Sequence, residues 1–271
     1  MRIVAQLHRS VKPVGQTVLT SPRVWDMLLP MARTKRETSR VVFPDHYARV
    51  YARIYDHLAR FYDPFVRSAL FFMNGGPGGE RRWRADAVDF LDPAPGDRIV
   101  DLCSGTGTLT IMIAERLKGS GEVIGVEISE AQLRVAKKKS LPPVLAYLHA
   151  SATDTYLPEG SFDKAVISAA LHEMLRETRD MILAEAFRLL RPGGTLVAVE
   201  HHEPREWHKA LLINTFEYLT PEYPTYKDLL ESGLKNEIET AGFTTVDTGI
   251  TAAGFFQMIL AEKPDSCDTL P

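Results

Sequence analysis

The stretch RIVDLCSGTGTLT, Arg98–Thr110, sets an apolar run against an acid, two glycines and a train of small hydroxyl residues. It reads as a buried strand that turns tightly into a helix. In an open parallel sheet, ligands sit beyond the carboxyl ends of the strands, where the first strand gives way to its helix. Gly105 and Gly107 allow a sharp turn with no Cβ in the way, so a ligand can approach main-chain N–H groups and the start of the next helix. A Gly-x-Gly alone also serves a tight connection with nothing bound, so the surroundings decide.

Working outward, apolar strands alternate with amphipathic helices. Strands are expected at Arg98–Cys103, Glu122–Glu127, Val144–His149, Lys164–Ala169 and Thr195–Glu200, with helices at Leu109–Lys118, Glu130–Lys139 and Arg176–Leu190, the last stopped by RPGG. This alternation predicts an α/β fold, a Rossmann-like parallel sheet with helices on both faces. Thr225–Ala241 reads as one helix, and Thr244–Ile250 with Phe255–Glu262 as an antiparallel hairpin at the sheet edge. Upstream, Tyr47, Tyr51, Tyr55, Leu58 and Tyr62 recur at helical spacing within Val41–Phe72, which predicts an amphipathic helix pair broken at Pro64. NGGPGGE, Asn74–Glu80, is expected to be a loop or hinge, and Arg82–Leu91 a helix. The expected organisation is a basic extension over residues 1–40, a helical lid and Gly-rich hinge over 41–80, a binding domain over 81–263 and a tail over 264–271.

The totals bound the function. The 271 residues, 45% hydrophobic and 25% charged, suffice for one core and an appendage. A net charge of −3 supplies no cationic field for phosphate backbones, so no nucleic-acid partner is expected. Two cysteines, Cys103 and Cys267, form neither a disulfide framework nor a CxxC pair, which fits a reducing compartment, and no metal is expected. No apolar run approaches the ~20 residues that span a bilayer, so a cytoplasmic protein, at most peripheral at a membrane surface, is expected. Residues 1–40 carry eight Lys or Arg against two acids. A solvated tail, an anionic-membrane contact and an Arg-rich transit segment all fit this excess; a tail is the expectation, and Met31 could be the true start.

Glu127 ends the second expected strand, 20 residues after Gly107, where a doubly wound fold sets an acid against ribose hydroxyls. It could instead be a solvated acid at a helix start, with Ser129 as N-cap. Turn and acid together favour a nucleoside. A dinucleotide fingerprint would be GxGxxG, yet Thr110 stands at its final glycine. Asp101, at the strand's end, repels a pyrophosphate but suits a cationic ligand. S-adenosylmethionine, with an ammonium, a sulfonium and no phosphate, is such a ligand.

From about Tyr47 to Lys263 the sequence resembles the class I S-adenosylmethionine-dependent methyltransferases. IVDLCSGTGTLT is similar to their first motif, VIGVEISEAQL to the second, SFDKAVISAALHEM to the fourth-strand motif, and EAFRLLRPGGTLVAVE to the helix and fifth strand. The resemblance implies a seven-stranded sheet whose last strand is antiparallel. It further implies that Asp101, Ser104, Gly105 and Gly107 surround the amino-acid half of the cofactor, that Glu127 holds the ribose beside Ile128 at the adenine, and that Ser168 joins the site from the fourth strand. Ser151 and Ala152 stand where the family often has an acid and a small residue, with Asp154 as the substitute if the loop is reshaped. Cys103 replaces the family's usual first glycine. The aromatic entry, LPEGSFD and RLLRPGG most resemble the ubiquinone and menaquinone C-methyltransferases, with similar strings in bacterial phosphatidylethanolamine N-methyltransferases. Tyr62 would match a lid tyrosine in that group, or simply pack on the core.

Methyl transfer from a sulfonium needs positioning first, and a base where the acceptor must lose a proton. His172, in ALHEM after the fourth strand, is the candidate base, or a packed helix-start histidine. EHHEPREWH gathers His201, His202 and His208, but adjacent His201 and His202 face opposite ways in extended chain, so acceptor lining or a solvated loop is expected rather than a metal site. Trp207, Leu211, Leu212 and Phe216 either line a lipid-sized pocket or bury against the sheet; burial is the expectation. The expected activity is methyl transfer to a small lipophilic acceptor, a quinol carbon first and a phospholipid amine second. A non-catalytic cofactor sensor and a nicotinamide oxidoreductase are the rivals.

Overall fold

The computed structural model of the protein describes residues 61–265 except Tyr62, Gly75, Ser140 and Pro221. The readings of residues 1–40, of the aromatic stripe from Tyr47 through Tyr62, and of Cys267 lie outside the described residues.

Seven strands form one sheet: β1 (Arg98–Leu102), β2 (Glu122–Glu127), β3 (Leu145–His149), β4 (Phe162–Ser168), β5 (Leu190–His201), β6 (Thr244–Thr251) and β7 (Phe256–Glu262). Their order is β3-β2-β1-β4-β5-β7-β6. The first five run parallel, and β7 inserts antiparallel between β5 and β6. The order reverses between β1 and β4, which opens a crevice at their carboxyl ends.

β1 shows why the centre of the sheet is this apolar. Ile99 packs into the core on one face, while Val100 and Leu102 pack into the core on the other. Alternate side chains thus serve opposite faces, and both faces are covered. The covering helices are α1 (residues 63–73), α2 (Gly79–Leu91), α3 (Thr108–Arg116), α4 (Glu130–Ala136), α5 (Arg176–Leu189), α6 (Trp207–Tyr218), α7 (Tyr223–Ser232) and α8 (Leu234–Thr240).

The structure departs from the sequence reading in several places. Pro64 lies in the first turn of α1, where a missing N–H is tolerated, and the helix read before it lies outside the described residues. The glycine-rich segment ends earlier than expected, because Gly79 and Glu80 already belong to α2. The single helix read at Thr225–Ala241 is two, divided at Gly233, whose φ of 79° lies outside the helical region. RPGG does stop α5, at Leu189, but it belongs to β5: Gly193 N–H donates to Lys263 O and Lys263 N–H to Gly194 O, which stitches it to the end of β7.

Arg179 locks the helices beneath the crevice. Fully buried on α5, it donates to Glu237 of α8 at 2.9 and 2.7 Å, to Asp228 of α7 at 2.6 Å and to Met174 O at 2.7 Å. Met174 directly follows a 3-10 turn, Leu171–Glu173, that carries His172.

Candidate active site

The turn after β1 is built by backbone geometry. Cys103, Gly105 and Gly107 all take positive φ (65°, 58° and 74°), which glycine adopts freely and cysteine does not. Gly107 is irreplaceable on space as well: a Cβ there would fall 1.9 Å from Tyr147 Oη. Tyr147 reaches that place because Gly125, its register partner on β2, leaves room for the ring.

Two buried acids flank the turn. Asp101 Oδ2 accepts from Thr110 Oγ1 at 2.6 Å, and burial, reinforced by the charge of Glu127, pushes Asp101 from 3.8 up to about 7. Glu127 spans the turn, accepting from Gly105 N–H at 2.8 Å and Ser129 N–H at 2.7 Å, and burial raises it too. The Ser104 hydroxyl and Gln132 Oε1 are buried beside them without a hydrogen-bond partner among the described residues. Buried polar atoms of this kind call for a ligand.

Around this cradle, Ile128 is half-buried and its carbonyl lies 2.9 Å from His149 Nε2. Ser151 and Ala152 follow β3, where the Ser151 hydroxyl pairs with Thr153 Oγ1 at 2.7 Å; Asp154 is exposed. Ser168 ends β4, half-buried. Asp63 of α1 reaches over the glycine turn, accepting from Thr106 Oγ1 at 2.5 Å and pairing with Lys139 at 2.7 Å, while Lys139 also donates to Thr108 Oγ1. That latch lies one residue from Tyr62, which is itself outside the described residues.

Across the crevice, His172 is buried, with Nδ1 2.8 Å from Glu200 Oε2. Glu200 is fully buried, and its other oxygen accepts from Ala170 and Leu171 N–H at 2.6 Å each. Burial alone would lower the His172 pKa, but the charge of Glu200, then those of Glu173 and Glu217, lift it to about 10. His201 stacks on His172 with ring centroids 4.1 Å apart. Its Nδ1 stands 3.2 Å from Glu217 Oε1, near enough for charge pairing but not aligned as a hydrogen bond. Burial, then repulsion from His172, pushes His201 down.

The sequence singled out His172 but gave no sign that Glu200 and Glu217 surround it. The opposite facing of His201 and His202 holds: the first is buried and the second half-exposed, while His208 is exposed, so the three do not converge. The expectation that α6 buries its apolar residues is overturned. Trp207, Leu211, Leu212 and Phe216 are 76%, 60%, 57% and 41% exposed, because the inward face of α6 is Ile213 and Glu217, four residues apart. Phe216 stacks on Phe65 of α1 at 6.2 Å, and Phe65 is exposed as well. Among the described residues, no helix is long and apolar enough to cross a membrane.

Comparison with known proteins gives this geometry a family. Residues 99–194 match the model of a methyltransferase domain. An uncharacterized methyltransferase of Synechocystis sp. is 32% identical over 188 residues, covering 68% of this chain and 84% of that protein. A demethylmenaquinone methyltransferase of Lysinibacillus sphaericus is 30% identical over 193 residues, 70% of this chain and 74% of its own. In structure, the chain shares its fold with an S-adenosylmethionine-dependent methyltransferase of Aquifex aeolicus, at a TM-score of 0.56 and 15% identity over 73% of this chain and 98% of that one. A didemethyltoxoflavin N1-methyltransferase of Burkholderia thailandensis gives a TM-score of 0.57 at 17% identity over 84% and 94%. The seven-stranded sheet, the glycine turn with its two acids and these relatives agree: the chain belongs to the S-adenosylmethionine-dependent methyltransferases.

Proposed function

We propose that the protein methylates a ring carbon of a lipophilic quinol, holding S-adenosylmethionine over the glycine turn. The observation that carries the cofactor half is the pair of buried acids, Asp101 and Glu127, both raised by burial and adjoining unpartnered Ser104 and Gln132 oxygens. A ligand with a cationic amino-acid end and ribose hydroxyls answers all four groups. Asp101, Ser104, Gly105 and Gly107 would hold the amino-acid end and Glu127 the ribose. Ile128, Ser151 and Ala152 would border the adenine, and Ser168 would close the floor from β4. The bound cofactor supplies a methyl on a positively charged sulfur, a leaving group already activated.

The chain's own residues do the rest. Asp63, latched to Thr106 and Lys139, would hold α1, the described part of the expected lid, over the glycine turn and keep water out. His172, fixed by Glu200 and kept protonated near neutral pH by the carboxylates around it, is the group placed to stabilise the acceptor's hydroxyl as an oxyanion once its proton has passed to solvent, the form in which the ring carbon is nucleophilic. Exposed Phe65, Leu211, Leu212 and Phe216 form an apolar approach suited to a lipophilic acceptor, and to peripheral contact with a membrane surface that supplies it. Relatives named demethylmenaquinone methyltransferase point to the same acceptor class.

The test is product identification. The protein is incubated with methyl-labelled S-adenosylmethionine and either a reduced demethylnaphthoquinone or phosphatidylethanolamine vesicles. Label on the quinol ring carbon is the expected result; label on the lipid amine, or on neither, would overturn the acceptor.

A further inference from the structure

His172 Nε2 is the least accounted-for atom of the site. The side chain is 7% exposed, its Nδ1 is taken by Glu200, and among the described residues no hydrogen bond reaches Nε2. Glu173 Oε1 lies 3.9 Å from it, and donor atoms of His172, Glu173 and Glu222 all fall within 4.8 Å of one another. These spacings are too long for hydrogen bonds. Donors bound to one ion at about 2.1 Å stand roughly 3 to 4 Å apart, so the three are set slightly wider than a closed coordination triangle.

Charge points the same way. Glu173, Glu200, Glu217 and Glu222 gather around His172 and His201, so four carboxylates surround the two imidazoles. The hydrogen bond from His172 Nδ1 to a buried carboxylate is also the arrangement that orients a ligating histidine and raises its basicity. Glu200 is fixed in turn by two backbone N–H groups, so the ring cannot turn away.

We propose that His172 Nε2, Glu173 and Glu222 bind one divalent metal ion, with Glu200 as the outer carboxylate that orients the histidine. One imidazole nitrogen and two carboxylate oxygens suit a borderline ion such as Mn²⁺ or Zn²⁺, with remaining positions open to water or acceptor. Its chemical role rests on the acceptor proposed above. Coordination of a quinol hydroxyl would release that proton to solvent and leave electron density on the ring, so the ion, in displacing the proton on Nε2, would take over the stabilising task given above to His172.

The experiment titrates Mn²⁺ into the full-length protein with S-adenosylhomocysteine present, followed by electron paramagnetic resonance, with Zn²⁺ as competitor. One saturable Mn²⁺ per chain, displaced by Zn²⁺, is expected. His172→Ala should abolish it, and Glu222→Gln, a change at a half-buried rim residue, should weaken it at least tenfold with the melting temperature and S-adenosylhomocysteine affinity retained. Absence of saturable binding of either ion in the wild type, or binding unchanged in Glu222→Gln, would overturn the site. No acceptor is needed, so the two proposals fail separately. An ion bound without quinol methylation refutes the acceptor alone, and quinol methylation by a protein that binds no ion refutes the metal site alone.

Discussion

The two banks of the crevice solve opposite electrostatic problems. On the β1–β2 side, Asp101 and Glu127 are buried acids with hydrogen-bond donors around them but, among the described residues, no cation in contact, and both are raised by burial. On the β4–β5 side, Glu200 and Glu217 are buried acids paired with His172 and His201, and both are held below the usual carboxylate range despite burial. Burial alone does not decide a carboxylate's charge; the partner does. On the reading proposed above, the first bank leaves its acids to be completed by a cationic ligand, whereas the second already pairs its acids with histidines.

The largest expected effect tests what supports the second bank. Arg179→Ala strands buried Glu237 and releases Met174, the residue after the His172 turn, so it should cost about 3 to 5 kcal/mol in denaturant unfolding. A cost under about 1 kcal/mol would mean that the helices are held by packing alone.

A pH experiment sharpens the contrast from the first bank. Between pH 3.8 and about 7 the folded protein keeps a proton on Asp101 that the unfolded chain has released. This group therefore adds stability as pH falls from 7 toward 4, by roughly 2 to 4 kcal/mol, and Asp101→Asn should remove that slope relative to wild type. A cationic ligand must ionise Asp101, so affinity for S-adenosylmethionine should fall as pH drops below 7 in the wild type, up to about tenfold per unit. Parallel stability profiles for wild type and Asp101→Asn would show that Asp101 is already charged without ligand.

The smallest effect concerns the latch between the banks. Asp63→Ala removes a partly exposed ion pair with Lys139 and the bond from Thr106, so stability should change by no more than about 1 kcal/mol. Release of S-adenosylhomocysteine in stopped flow should nevertheless quicken. An unchanged release rate would remove α1 from any closing role.

The first bank was legible in the sequence because its parts are local: Asp101, Gly105 and Gly107 fall within seven residues, and Glu127 lies one strand on. The second was not. Glu200 meets His172 only because β4 and β5 pair in parallel with Ser168 opposite Val199, which brings the segment after Ser168 alongside Glu200. Sequence separation hides such a contact until the register is known. The α6 reading failed for a different reason. Trp207, Leu211, Leu212 and Phe216 recur at helical spacing, and hydropathy favoured that larger stripe, whereas the buried face is Ile213 with a glutamate that only its histidine partner explains. The break at Gly233 depended on one backbone angle in a segment whose apolar spacing was otherwise continuous.

The most direct measurement is calorimetric titration of S-adenosylhomocysteine into wild type, Glu127→Ala and Glu222→Gln. If the banks divide the work as described, Glu127→Ala weakens binding by about 1 to 3 kcal/mol and Glu222→Gln leaves it unchanged. Equal affinity in wild type and Glu127→Ala, or a loss confined to Glu222→Gln, would contradict the assignment of the cofactor to the glycine turn.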